Sequence, residues 1–571
     1  MLHESERKSH RSLSIALSQE AIYILYRQGS GRSTKPLPGE HAPMPAQFDV
    51  IVVGSGHNGL IAGAYLAKAG KRVLVLERNA NLGGGVMTSE FVAPGFKHDW
   101  HSATHIVIQA NPLLLNDELG LKSMFGLRYA HPDAIFSTIF DDQDYIVTYA
   151  DLDRTCESIA RISPPDAEAY RSFARKGASL LPVMVQGMFV PPPPQGAFWA
   201  LLDQSAEGRA LMQVMQRSML DVVNEHFSHE KVKVHLLKFA AEMLIGPDEK
   251  GTGAFIFNMP GFVHTYKPGV PIGGSVALVD ALERCLKHYG AELRTDASVE
   301  KILLEGGRAS AVRLADGEII RARSAVIAQI HPWKLGEMVD GLDSELVRGA
   351  SATKSSTLAV MAAHYALKQS PSFLASPAPG QVALMNFAPA SLEGFLRIFD
   401  DVRYGDLPSR PIMAAHNNAQ WDPSRAPAGG AALTIFAFGP FHLREGGSAA
   451  WDSRKPEFQH YVETMFSRFC SNLNSQNIVG SAFHTPLDMA RYSPTFQNGD
   501  VGGIGKFFFQ IGGHRPTPAL AQYAVPGAGQ LYLAGTFMHP PGGITGGGRA
   551  TAVRIFNDLK LDFKRVCGSS S

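Results

Sequence analysis

The sequence predicts an α/β protein: a Rossmann-type nucleotide-binding domain assembled from three chain segments, carrying an inserted α+β domain. Three observations predict it. A run rich in β-branched residues, Phe48–Val53, leads straight into Gly54-Ser-Gly-His-Asn-Gly59. The α/β pattern then lapses and returns from Pro268 and again at Leu531. A Gly-rich turn, Pro540–Gly548, opens a last helical stretch.

Taken in order, residues 1–47 are expected to form a largely disordered extension, with room for one short helix at Ile15–Tyr26. They lack a signal-peptide core and cleavage site, and Glu4, Glu6 and Glu20 argue against a transit peptide. Strand, helix (Leu60–Ala69) and strand (Lys71–Leu76) follow, closed by Glu77. Residues 98–264 read as helical at Glu168–Lys176, Glu207–Asn224 and His229–Leu244. Between these lies an apolar hairpin-like segment, Leu180–Leu202, broken by four prolines. Ser275 is the expected N-cap of a helix running to Tyr289. Strands follow at 292–294 and 299–304, then a meander to Ala328. The expected nucleotide domain is 48–125, 265–335 and 501–562; the substrate domain is 126–264 and 336–500; 563–571 is a tail.

Composition narrows the class. Across 571 residues, 45% are hydrophobic and 18% charged, enough apolar matter for a large core and too much for disorder. A net charge of +1 argues against nucleic-acid binding and bulk attraction to anionic membranes. Cys156, Cys285, Cys470 and Cys567 are too scattered for a zinc knuckle or disulfide framework, which favours a reducing compartment, cytoplasm or organellar matrix. No run of about twenty apolar residues would cross a bilayer.

The first motif carries the most chemistry. Gly54 permits the tight turn, Gly56 a close approach of backbone to a pyrophosphate, and Gly59 close helix–strand packing. The helix start that contains Ser55, His57 and Asn58 points free N–H groups at phosphates. Glu77 ends the next strand, where a carboxylate suits a ribose diol. Arg78 and the glycines Gly83, Gly84 and Gly85, followed by Val86, then offer bare backbone to a further part of an extended cofactor. Near the C-terminus, Gly543, Ile544 and Thr545 precede a helix whose N–H groups would stabilise negative charge developing on a bound ring.

The run DVIVVGSGHNGLIAGAYLAKAGKRVLVLERNANLGGGVMTSEFVAPGF resembles the opening of the phytoene-desaturase-like FAD oxidoreductases. Within them it most resembles the pyridine nucleotide-disulfide oxidoreductase domain-containing branch, with relatives among carotene ketolases, retinol saturase and, in the wider superfamily, monoamine oxidases. PIGGSVALVDALERCLKHYGAELRTDASVEKI and HRPTPALAQYAVPGAGQLYLAGTFMHPPGGITGGGRATA are similar to the family's middle and C-terminal segments. The resemblance implies non-covalent FAD. It puts Gly54, Gly56 and Gly59 at the pyrophosphate, Glu77 at the adenosine ribose and the Val299 backbone at the adenine. Gly83 and Gly84 would flank the ribitol, Gly535 and Thr536 the pyrophosphate and ribitol, and Gly543–Thr545 the flavin pyrimidine. This chain departs from the family at Gly85, where many members have Arg, and at Thr536, where many have an acid.

His98, His101 and His105 share a spacing that suits one helix face and zinc, but no Cys or acid completes the set and no metal is expected. His105 and His539 are the candidate catalytic residues, set against the alternative of hydrogen-bonded structural histidines. His264, Tyr266 and Lys267 stand ahead of the middle segment without an assigned role. Leu180–Leu202 reads as buried core or as a membrane-dipping substrate entrance, the core reading preferred because no Lys/Arg fringe flanks it. The expected function is redox chemistry, above all hydride removal, on an apolar, isoprenoid or carotenoid-like substrate. Oxygen, a quinone or NAD(P) stays open as the electron acceptor. An amine or amino-acid oxidase is the first alternative, and a non-catalytic flavoprotein acting through partners the second.

Overall fold

The chain opens with β1 (Gln47–Val53), a helix over His57–Lys68 and β2 (Val73–Leu76), buried throughout. A hairpin of β3 (Thr88–Ala93) and β4 (Phe96–Asp99) follows, then β5 (Tyr129–Ala130), β6 (Ala134–Phe140) and β7 (Tyr145–Tyr149). Helices occupy 152–265. Next come β8 (Val270–Pro271), β9 (Glu292–Arg294), β10 (Val299–Glu305), β11 (Arg308–Leu314) and β12 (Ile319–Ala328). β13 (Ala359–Leu367), β14 (Leu384–Ala388), β15 (Met413–Asn417), β16 (Ala431–Gly439) and β17 (Ile478–His484) precede β18 (Leu531–Leu533) and a helix over Gly548–Asp558. This computed structural model describes residues 47–568; the expected extension up to Pro45 and Ala46 and the last residues of the tail lie outside it.

Two seven-stranded sheets result. The first runs β10-β11-β12-β1-β2-β9, with β18 on the far half of β12. β1 lies parallel between β12 and β2, with Val53 level with Ala328 and Leu76. These strands are buried on both faces, which is why they read as unbroken apolar runs rather than alternating ones. β1, β12 and β18 therefore end side by side, delivering Gly54, Gln329 and Gly535 to one edge, where doubly wound sheets bind ligands.

The second sheet runs β17-β13-β16-β15-β14-β6-β7, antiparallel except for β14 beside β6. One face, with Met361, Tyr365, Phe387 and Ile435, packs on Trp451 and Phe458. Strand alternation puts His364, Thr434, His416 and Asn386 on the opposite face, and all four are buried.

Several expected elements shift. The first helix starts at His57, because Gly56 is its N-cap and the motif itself makes the first turn. Glu168–Lys176 lies inside one helix, Pro164–Met188, that accommodates Pro182 and takes up half of the expected hairpin segment. Gln195–Leu202 is a separate short helix. Glu207–Asn224 is two helices, because Ser218 and Asp221 form a capping box that starts a new one. Ser275 caps nothing: its backbone is already helical and its hydroxyl bonds to the Ser102 carbonyl. Phe563–Cys567 in the tail is helical, and Phe563 packs on Tyr65 and Phe556. In the Leu180–Leu202 segment Leu181, Phe189 and Leu202 are buried, whereas Leu201 is 61% exposed.

Candidate active site

A cavity of about 660 Å³ runs along the edge where β1, β12 and β18 end. Its wall brings together Gly54, Ser55, Gly56, His57, Asn58, Glu77, Arg78, Gly84, Gly85, Val86, Val299, Gly535, Thr536, Gly543 and Ile544, residues far apart in sequence. Gly59, Gly83 and Thr545 stand behind that wall; His105 and His539 are off it.

Gly54 makes the strand-to-helix turn at φ +88°, a backbone L side chains rarely adopt. Glu77 is buried and takes its place through three donors: Ser55 N–H (2.9 Å), Ser55 O–H (2.6 Å) and Asn79 N–H (2.9 Å). The Gly83 N–H in turn donates to Ser55 Oγ (3.0 Å), tying the second glycine loop to the first. Two helix N-termini converge here. Gly548 N–H, at the start of the C-terminal helix, donates to Asn58 Oδ1 (3.0 Å) in the first turn of the other. A Cβ on Gly548 would collide with the Asn58 carbonyl oxygen, so only glycine permits this approach. Both helix ends favour anions. His57 beside them is held neutral, its pKa lowered to about 4 by burial, partly offset by a hydrogen bond with the Gly543 backbone.

These residues fit a dinucleotide flavin on the structure's own terms: a bare backbone cradle, two positive helix ends and a carboxylate at the end of β2. Gly543 needs a correction. Its backbone is not left-handed, and a Cβ there would meet nothing within 4 Å. The conformational demand falls instead on Gly542 and Gly546, with φ +125° and +72°.

The departure at Gly85 has a steric cause. A Cβ there would lie 2.7 Å from Phe496 Cζ, and Tyr492, from the same segment, donates its O–H to the Gly84 carbonyl (2.8 Å). An aromatic strap thus covers the place an arginine would need. Arg78 reaches the strap through the Tyr492 carbonyl (3.0 Å).

The candidate catalytic histidines are anchored. His105 uses both ring nitrogens, with Tyr129 Oη (2.9 Å) and Ser275 Oγ (3.2 Å), and burial pulls its pKa down to about 3. His539 donates Nε2–H to the Gly187 carbonyl (3.0 Å), and burial lowers it to about 4. His264 bonds with Tyr170 Oη (3.0 Å) and the Ala150 carbonyl (3.2 Å). His98 and His101 do not share a helix with His105, because His98 is in β4. Among the described residues no group of three or more His, Cys, Asp or Glu is placed to hold a metal ion.

Sequence reasoning missed two residues. Gln329 follows β12 and donates to the Gly54 carbonyl (2.5 Å) beneath the glycine turn. Arg515 is buried without a carboxylate in contact. It donates to the Ile504, Gly505, Gln510, Thr536 and Met538 carbonyls, fixing the loop after β18. Burial lowers its pKa to about 9, against the pull of Asp500. Its only sequence signal is an arginine between histidine and proline in an otherwise apolar stretch.

The chain matches the family described as NAD(P)-binding Rossmann-like domain over residues 52–115. It is 25% identical to a limonene dehydrogenase from Castellaniella defragrans over 90% of this chain and 96% of that protein. It is 26% identical to the rat pyridine nucleotide-disulfide oxidoreductase domain-containing protein 2 over 91% of this chain and 95% of that one. It is 24% identical to the lycopene-forming phytoene desaturase of Pseudescherichia vulneris over 89% of this chain and 99% of that one. The fold is similar to that of cyclohexylamine oxidase from Brevibacterium oxydans, with a TM-score of 0.53 and 16% identity over 90% of this chain and 99% of that one. With the glycine cradle, the Glu77 carboxylate and the paired helix ends in one cavity, this chain belongs to the phytoene-desaturase-like family of FAD-dependent oxidoreductases and is an enzyme of that kind.

Proposed function

We propose that this FAD-dependent oxidoreductase takes hydride from an sp³ C–H of an uncharged, isoprenoid-like substrate, using non-covalently held FAD. One observation carries the choice of substrate over an amine. Every buried carboxylate among the described residues is already engaged by protein donors. Asp99 faces Arg425, and Glu118 faces Arg549. Asp166 accepts from Ser228 and His229, Asp422 from Gly273, Asp500 from Ser356 and Gly502, and Glu77 from Ser55. A buried ammonium needs an opposite charge or a ring of acceptors, and no carboxylate is left to supply one. The names of the full-length relatives, limonene dehydrogenase and phytoene desaturase, point the same way.

FAD, when bound, supplies the two-electron acceptor. The chain's own part is to orient and to exclude water. Gly54–Asn58 and Gly83–Gly85 would hold the pyrophosphate side, Glu77 the ribose and Val299 the adenine. Gly535 and Thr536 would flank the ribitol, and the Gly543–Thr545 loop would present N–H groups to the ring edge where charge develops. His105 and His539 act in this reading as positioning groups. Leu201, Phe508 and Phe509 are exposed, and Trp199 lies beside Phe508; they would form the entrance facing a lipid reservoir.

Anaerobic mixing of the yellow holoenzyme with isoprenoid hydrocarbons and alcohols on one side, and with putrescine and cyclohexylamine on the other, tests the reading. Bleaching of the flavin band by the isoprenoids alone is expected. Bleaching by an amine alone would overturn it.

A further inference from the structure

The inner face of the second sheet carries a polar row that the cofactor site does not use. His364 lies opposite Thr434, and Thr434 opposite His416, on three adjacent strands. Asn386 lies one strand further on, and His484, at the end of β17, is opposite Ala362. The β3–β4 hairpin closes over this row. The ring centroids of His98 and His364 are 5.7 Å apart, and those of His364 and His484 5.2 Å. Trp100 stacks on His484 at 5.1 Å. His101 continues the cluster to the cofactor cavity, whose wall it shares with Tyr492 and Phe496.

What sets this cluster apart is what it leaves unpaired. Both ring nitrogens of His98, His101 and His416, Nε2 of His364, Nδ1 of His484 and Oδ1 of Asn386 are buried with no hydrogen-bond partner among the described residues. Buried polar atoms are almost always paired, so such a concentration marks a place built for a guest. The chemistry of the set narrows the guest. Burial keeps His98, His101 and His416 neutral, and the one buried cation nearby, Arg425, is spent on Asp99. That argues against an anion. No carboxylate is free for a cation, and no metal-holding group exists among the described residues. Neutral imidazoles and an amide carbonyl offer both donors and acceptors. That combination suits a neutral oxygen function.

We propose that this histidine-lined face binds the hydroxyl or carbonyl oxygen of an otherwise apolar substrate, with the C–H to be oxidised held toward the cavity that His101 lines. This rests on the reading of an uncharged, isoprenoid-like substrate and adds that the substrate is an oxygenated one.

The test uses FAD-loaded protein and matched probes: geraniol and geranylgeraniol against the hydrocarbons of the same skeletons. Binding is read from perturbation of the flavin spectrum under anaerobic conditions. The alcohols should bind at least about a hundredfold more tightly, because a hydrocarbon leaves the site's polar atoms unpaired. In His364→Leu and in His416→Leu the preference should fall to within about tenfold while FAD content holds. Melting temperature without probe adds an independent measure. Exchanging an unpaired buried imidazole for a hydrocarbon should leave it unchanged or raised, whereas a fall would show that the imidazoles are already satisfied inside the protein and would overturn the proposal. Equal binding of alcohol and hydrocarbon, or a preference that survives both variants, overturns the proposal and leaves the isoprenoid reading standing. Binding of neither overturns both.

Discussion

Replacing Glu77 by Ala removes the group that accepts Ser55 N–H, Ser55 O–H and Asn79 N–H. A hydrogen bond to a charged group is worth roughly 1.5–3 kcal/mol, and a buried donor left alone costs about 1–3 kcal/mol. Ser55 is fully buried, so its N–H and O–H lose their acceptor out of reach of bulk water. The apo-protein should therefore lose on the order of 2–4 kcal/mol of local stability at the glycine turn. Loss of the ribose hydroxyls' acceptor weakens FAD by a further ~1.5–3 kcal/mol, about ten- to a hundredfold. The geometry thus revises the expectation from sequence that cofactor binding would suffer more than folding. Two assays separate the effects: thermal denaturation of the apo-protein, and titration of apo-protein with FAD by flavin fluorescence. Glu77→Gln, which keeps one oxygen for Ser55, should recover part of the stability and less of the affinity. An apo-protein with unaltered melting would refute the Ser55–Glu77 staple. Unaltered FAD affinity would refute the ribose assignment.

Four further outcomes are expected. Gly543→Val should leave the melting of the apo-protein unchanged, since nothing lies within 4 Å of the new Cβ, and should act only on FAD affinity and the flavin midpoint potential; a drop in apo-protein melting would contradict the geometry. Arg515→Lys, which gives up most of its bonds to carbonyls, should cost on the order of 3–5 kcal/mol, read as a fall in melting temperature together with lost FAD. Gly85→Arg should lose flavin, and the pair Gly85→Arg with Phe496→Ala should recover it, because the clash is with the Phe496 ring. Acidification should destabilise the fold between about pH 6.5 and 4. His98, His101 and His416 have folded-state pKa values near 3, 3 and 4 because burial penalises their charged forms. The unfolded chain takes up protons first as pH falls below about 6.5, so stability present above that value is lost toward the depressed pKa values at up to about 1.4 kcal/mol per unit per histidine. A flat melting temperature over that range would show these imidazoles to be charged or exposed.

The nucleotide half was legible in the sequence because its signals are local. Gly54-Ser-Gly-His-Asn-Gly59 must follow a strand and open a helix for its backbone to work, and Glu77 must end the next strand, so spacing alone located them. The glycine-rich turn before the last helix was legible for the same reason, although its conformational demand sits at Gly542 and Gly546 rather than Gly543. The substrate half was not. His364, His416 and His484 are ordinary strand residues one at a time, and only the register of β13, β15, β16 and β17 sets them on one face. The aromatic strap at Tyr492–Phe496, which accounts for Gly85, depends on a contact between residues some four hundred positions apart. His105 and His539 looked reactive because imidazole titrates near neutral pH, a property burial removed. Backbone geometry is written in neighbouring residues and can be read there; the pairing, burial and charge state of a side chain depend on partners that the chain brings together only on folding.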